Sequence, residues 1–170
     1  MAHNALSLYS SSADQDFTNA VRDVARRQSV LFHGTSLGSL IARTDTMLYP
    51  TIGDPIISFT RSPETAVHFA TLPKDFDDGF PTVFVFNRDA LRTRYRIEPY
   101  QCIAPMGYTM GKFEAEERIW LRDIPQMSRY LSAIVFCVMG RVYFAKTMPE
   151  FKGYYKLMAT VLAHASARAS

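Results

Sequence analysis

The spacing of apolar residues changes several times along the chain, and each change marks an element. Phe17, Val21 and Val24 recur at helical spacing with Arg22, Arg26 and Arg27 on the other side, which predicts a helix from Asp16 to near Gln28. Val30-Leu31-Phe32 is short and evenly apolar and reads as a first strand. Leu37 to Ala42 predicts a short helix capped by Ser36. Arg43 to Asp54 predicts a loop long enough to act as a flexible lid. Ile56 to Thr60 alternates, so Ser58 and Thr60 share one face of a strand and Phe59 takes the other. Pro63 opens a helix that runs to Ala70, with Ser62 as its N-cap and Glu64 in its first turn.

Leu72 to Pro81 reads as a solvated turn. Val83-Phe84-Val85-Phe86 is continuously apolar, the pattern of a strand buried on both faces. Further strands are predicted at Tyr95–Ile97, Glu116–Leu121 and Ser132–Met139, with Tyr143 to Lys146 extending the sheet. Ile124 to Arg129 predicts a short helix or turn, and Phe151 to Ala163 a closing helix. The order is α+β in one domain over residues 1–170, with a loose start at 1–14 and a frayed tail at 165–170.

Composition narrows the class. The chain has 170 residues, 48% of them hydrophobic, enough for one proper core. No apolar run approaches the ~18 residues of a membrane span, so no membrane partner is expected. The first residues carry neither a basic leader nor an apolar core, so no secretory signal is expected. Cys102 and Cys137 lack metal spacing, and a reducing cytoplasm is the default. The net charge of +3 is mild. Arg92, Arg94 and Arg96 alternate along one strand face, where they would either attract phosphate or simply blunt a solvated edge. Gly-x-Gly-x-x-Gly, Gly-x-Ser-x-Gly and the phosphate-binding loop are all missing. His3, His33, His68 and His164 are spread without ligand spacing, so no metal is expected.

The candidate chemistry sits between Leu31 and Phe69. Leu31-Phe32-His33-Gly34-Thr35-Ser36 and Ile56-Ile57-Ser58-Phe59-Thr60 each read as a buried strand that breaks into small hydroxylated residues before a helix. Gly34 has no Cβ, so a ligand can approach the backbone there. Two such strand ends side by side would form a cleft for a ligand rich in hydroxyls and amides.

These residues resemble the ADP-ribosyltransferases. The diphtheria-toxin and poly-ADP-ribose polymerase branch has a His-Gly pair at a strand end, matched here by His33-Gly34. A second strand and a helix with an aromatic residue follow, matched by Ser58-Phe59-Thr60 and Phe69. A glutamate opening a later strand is matched within Phe113 to Trp120. The resemblance covers roughly Ser29 to Leu121. Ser58 stands where the His-type branch usually has Tyr. Ser58-Phe59-Thr60 with Glu114-Ala115-Glu116 is similar instead to the arginine-modifying branch, which starts with Arg rather than His. The resemblance implies a split β-sheet core with short helices and an NAD cleft, and NAD as co-substrate. It implies contacts from His33, Gly34, Thr35, Ser58, Phe59, Thr60 and Phe69. It also makes the loop Gln101 to Lys112 an expected acceptor contact.

Strand alternation addresses the glutamates. Glu114, Glu116, Arg118 and Trp120 share one face, while Ala115, Glu117, Ile119 and Leu121 share the other, which soon turns apolar. Glu116 therefore suits a polar cleft as the catalytic carboxylate, with Glu114 toward the acceptor. Glu117 takes that role if the register slips by one. The implied function is mono-ADP-ribosyl transfer to a macromolecular acceptor, a protein side chain such as arginine or a nucleic acid. A small monomeric transferase in the cytoplasm, the host's if delivered, would suit a phage effector or toxin by analogy. Two alternatives stay open: an inactive relative that serves as a binding module, and an NAD glycohydrolase.

Overall fold

A computed structural model of the chain describes residues 12–26, 29–48, 55–72, 80–100, 116–121 and 123–169. The strands are β1 (Val30–Thr35), β2 (Thr46–Leu48), β3 (Ile57–Thr60), β4 (Thr82–Asn87), β5 (Glu98–Tyr100), β6 (Glu116–Ile119), β7 (Asp123–Pro125), β8 (Leu131–Val138) and β9 (Arg141–Ala145). The helices are α1 (Ser12–Ala25), α2 (Gly38–Thr44), α3 (Pro63–Thr71), α4 (Arg88–Arg92) and α5 (Met148–Ala169), with a 3₁₀ turn at Met127–Tyr130. One seven-stranded sheet runs in the order β5-β6-β3-β1-β4-β8-β9, and its neighbours pair antiparallel. The mixed composition, mainly antiparallel sheet and short helices agree with an α+β class.

Alternation along the central strands builds a core on each face of the sheet. Val30, Phe32, Val83, Val85, Ala133 and Val135 meet Phe17 and Val21 of α1 and Ala66, Val67 and Ala70 of α3. On the opposite face Leu31, Phe84, Phe86, Ile134 and Phe136 meet Phe151 of α5 together with Ile41 and Met127. β4 is the strand buried on both sides, as its unbroken apolar run predicts. Each large side chain so enclosed contributes about 1.5–3 kcal/mol.

Helix α3 forms as its sequence predicts. Ser62 Oγ accepts the Thr65 N–H at 3.1 Å, and Pro63 occupies the first turn. Other expectations are corrected. The strand predicted at Tyr95–Ile97 forms at Glu98–Tyr100, because Tyr95 N–H bonds to Leu91 O at 2.9 Å to close α4 while the Tyr95 and Ile97 side chains pack on the core. Ile124 lies in β7 opposite Met47, and only Met127–Tyr130 winds. The supposed lid is pinned at its start. Asp45, at φ 49°, accepts from the Ser128 N–H at 2.9 Å and hydroxyl at 2.7 Å, and Thr46–Leu48 pair with β7. Residues 49–54 lie outside the described residues. Ser36 does not cap α2; Leu37 holds that position with no side-chain bond. Helix α5 runs to Ala169 through the tail expected to fray, and α1 begins at Ser12. No described helix is long and apolar enough to cross a membrane.

Candidate functional site

β1 pairs with β4 along all its length, from Val30 opposite Asn87 to Thr35 opposite Thr82. With β3 it pairs only where Phe32 stands opposite Thr60. Beyond that pair the ladder stops, and a seam opens between His33-Gly34-Thr35 and Ile57-Ser58-Phe59. His33 spans it: Nδ1 lies 2.9 Å from the Ser58 carbonyl oxygen, and the ring meets Phe59 edge-on at 6.0 Å. A carbonyl can only accept, so Nδ1–H is the donor of that bond.

Gly34 has a packing reason that the sequence did not reveal. A Cβ there would lie 1.8 Å from the Ala66 carbonyl oxygen, so the close approach it permits is to α3. The threonines are also engaged locally. Thr35 Oγ1 accepts the Leu37 N–H at 3.1 Å, and Thr60 Oγ1 accepts the Ser62 N–H at 3.0 Å, each turning the chain out of its strand. Both are buried. The next hydroxyl, Ser36 Oγ, is buried with no partner among the described residues. Ser58 is exposed.

The expected site residues divide between the two faces of the sheet. Phe59 stands opposite Glu117, so His33, Phe59 and Glu117 form a row across three adjacent strands. Thr60 stands opposite Glu116, and Ser58 opposite Arg118, on the other face. Glu114 lies outside the described residues, as does the loop 101–112. The His33 face thus carries Glu117, and the hydroxyl face carries Glu116.

The two glutamates are held differently. Glu116 is bound by the neighbouring Arg118, Nε to Oε1 at 2.8 Å and Nη2 to Oε2 at 3.1 Å. Glu117 is 1% exposed and is gripped by two arginines from other strands' ends. Arg88 Nε reaches both of its oxygens, at 3.2 and 2.9 Å, and Arg61 Nε reaches Oε1 at 3.0 Å. A carboxylate this deep stays charged only when paired and hydrogen-bonded. Arg61 and Arg88 were missed in the sequence, yet parity points to them. Arg61 follows Phe59 by two, Arg88 follows Phe86 by two, and Glu117 precedes Ile119 by two, all on one apolar face.

Phe69 is 38% exposed at the end of α3 and belongs to neither core, touching the His68 ring at 5.5 Å. Away from the seam, an open depression of ≈ 580 Å³ lies beyond the end of β6, lined by Arg94, Tyr95 and Trp120 among others. Trp120 is fixed there by its indole N–H, which donates to Glu98 at 3.1 Å. Among the described residues, no group of three His, Cys, Asp or Glu side chains comes together. No protein-family model matches this chain, and no curated protein matches it either.

Proposed function

We propose that the chain is an NAD-dependent ADP-ribosyltransferase of the split-sheet type, moving ADP-ribose to a protein or nucleic-acid acceptor and releasing nicotinamide. The observation that carries this reading is the seam. The strands holding His33-Gly34, Ser58-Phe59-Thr60 and Glu116-Glu117 are neighbours in the order β6-β3-β1, and β1 parts from β3 at the His33-Gly34 end. In transfer, the bond from the anomeric carbon to the nicotinamide nitrogen breaks, and the electron pair leaves with nicotinamide. The acceptor nucleophile forms the new bond and loses its proton. A carboxylate beside that carbon stabilises the positive charge that develops. Glu117 shares the face of His33 but is committed to two cations inside the protein, whereas Glu116, on the hydroxyl face, is held among the described residues by Arg118 alone and is assigned this task. Phe69 offers a half-open ring for stacking on nicotinamide.

A second reading is a binding module without transfer, and the pairing of Glu116 with Arg118 favours it, since that carboxylate is already neutralised. Incubation with labelled NAD separates the two. Nicotinamide release with label on a macromolecule, both lost in Glu116→Gln, supports the transferase. Nicotinamide release without label supports the hydrolase. No thermal shift on NAD and no nicotinamide release leaves only the binding module.

A further inference from the structure

We infer that Arg61 and Arg88, aligned by the buried carboxylate of Glu117, form a binding site for a diphosphate group. The identity of the ligand as the dinucleotide's diphosphate rests on the transferase reading; the anion site itself does not. Arg88 Nε–H makes a three-centre bond to both Glu117 oxygens, so one guanidinium already balances the charge of the carboxylate. Arg61 adds a second positive charge, which leaves the cluster with a net charge of about +1. Both arginines use Nε toward Glu117. Each guanidinium carries further N–H donors on its Nη nitrogens, which can be offered to an anion while Nε holds Glu117. Arg61 is 57% exposed and Arg88 24%, so an anion can reach both.

The location suits the ligand as well. Arg61 follows Thr60 directly, at the β3 end where the seam closes, and Glu117 stands one cross-strand step from Phe59, whose ring meets His33. Planar forks with parallel N–H groups match phosphate oxygens in pairs. Glu117 acts here as a positioning residue: it removes rotamer freedom from two long side chains before the anion arrives.

Inorganic pyrophosphate, titrated calorimetrically at low salt, tests the site. Binding to the wild-type protein is expected, weakened about tenfold or more in Arg61→Gln, as for the loss of a charge-assisted contact. Arg61 is the exposed member, so that variant is expected to stay folded by circular dichroism; Arg61→Lys is the second variant and should also bind weakly, since an ammonium lacks the fork. Glu117→Gln gives the sharpest reading. It raises the positive charge, so simple attraction predicts tighter binding, whereas loss of positioning predicts weaker binding in a protein still folded. No pyrophosphate binding, unchanged binding in Arg61→Gln, or tighter binding in folded Glu117→Gln overturns the proposal. So does an Arg61-dependent preference for a short single-stranded oligonucleotide over pyrophosphate. Arg61-dependent pyrophosphate binding with no thermal shift on NAD upholds the anion site and overturns the transferase reading instead.

Discussion

Phe59 and Glu117 face each other across β3 and β6, one apolar and one ionic, and both are closed to solvent at 2% and 1% exposure. The pairing is tolerable only because Arg61 and Arg88 surround the carboxylate from the ends of two other elements. Glu117→Gln should therefore destabilise the fold by about 1–3 kcal/mol, since a buried charged partner is lost. Glu116→Gln should cost less than that, because Glu116 is less buried and is held, among the described residues, by one arginine rather than two. Its effect should fall on turnover instead, by ~10²–10³. Denaturant midpoints and nicotinamide release, measured on both variants, separate the roles. Equal stability losses with equal turnover would remove the distinction.

Gly34→Ala should fail through packing. The added methyl would meet the Ala66 carbonyl, so α3 must move off β1, at a cost of about 1–3 kcal/mol or more. A lowered melting temperature without ligand is the expected result. A glycine needed only for a ligand's approach would leave the apo protein's melting temperature unchanged.

Phe69→Leu should change stability by well under about 1.5 kcal/mol, because the ring is 38% exposed and outside both cores. NAD affinity should fall in Phe69→Leu and be kept in Phe69→Tyr, which retains the ring face. The NAD-induced shift in melting temperature reads both.

Ser36→Ala removes a buried hydroxyl that has no partner among the described residues. An unmade buried bond is a standing cost, so the apo protein should be unchanged or slightly more stable. Chemical denaturation would show a clear loss if this hydroxyl makes a bond that holds the turn.

Acid should loosen the contact between α1 and α3. Burial works to raise the Glu64 pKa, but hydrogen bonds from its own backbone N–H, from Arg22 and from Ser62, with the Arg22 charge, together hold it below the usual carboxylate value. A group depressed in the folded state contributes stability above its unfolded pKa and loses it as pH falls through the folded one. The stability gap between wild type and Glu64→Gln should thus be present above about pH 5 and shrink below pH 4. Glu64 is 58% exposed, so solvent screening keeps that gap small.

Much of the architecture was legible because period and burial agree. β4 announces itself by apolar residues at consecutive positions, and α3 by Ser62-Pro63-Glu64. The site was harder to read, since a linear motif does not say which face each residue takes once strands pair. His33 and Glu116 look like partners along the chain, yet pairing sets His33 beside Phe59 and Glu117. The cations around Glu117 come from residues 56 and 29 positions away. β2 and β7 were illegible for a different reason. Three residues each are too few to show a period, and their pairing depends on Asp45 anchoring Ser128 from far along the chain.

A single rung, Phe32 with Thr60, joins β5-β6-β3 to β1-β4-β8-β9 through the sheet. Mechanically, this makes the domain a broad plate with a narrow leaf hinged along one side. The plate is clamped between helices on both faces, whereas the leaf is tied back by Ile57, Phe59 and Ile119 packing on the core of one face and by the salt link of Glu117 to Arg88. Amide protons on β3 and β6 should therefore exchange sooner than those on β4 and β8. Any molecule that bridges leaf and plate would act as a staple, slowing exchange across the leaf while leaving the plate as it was.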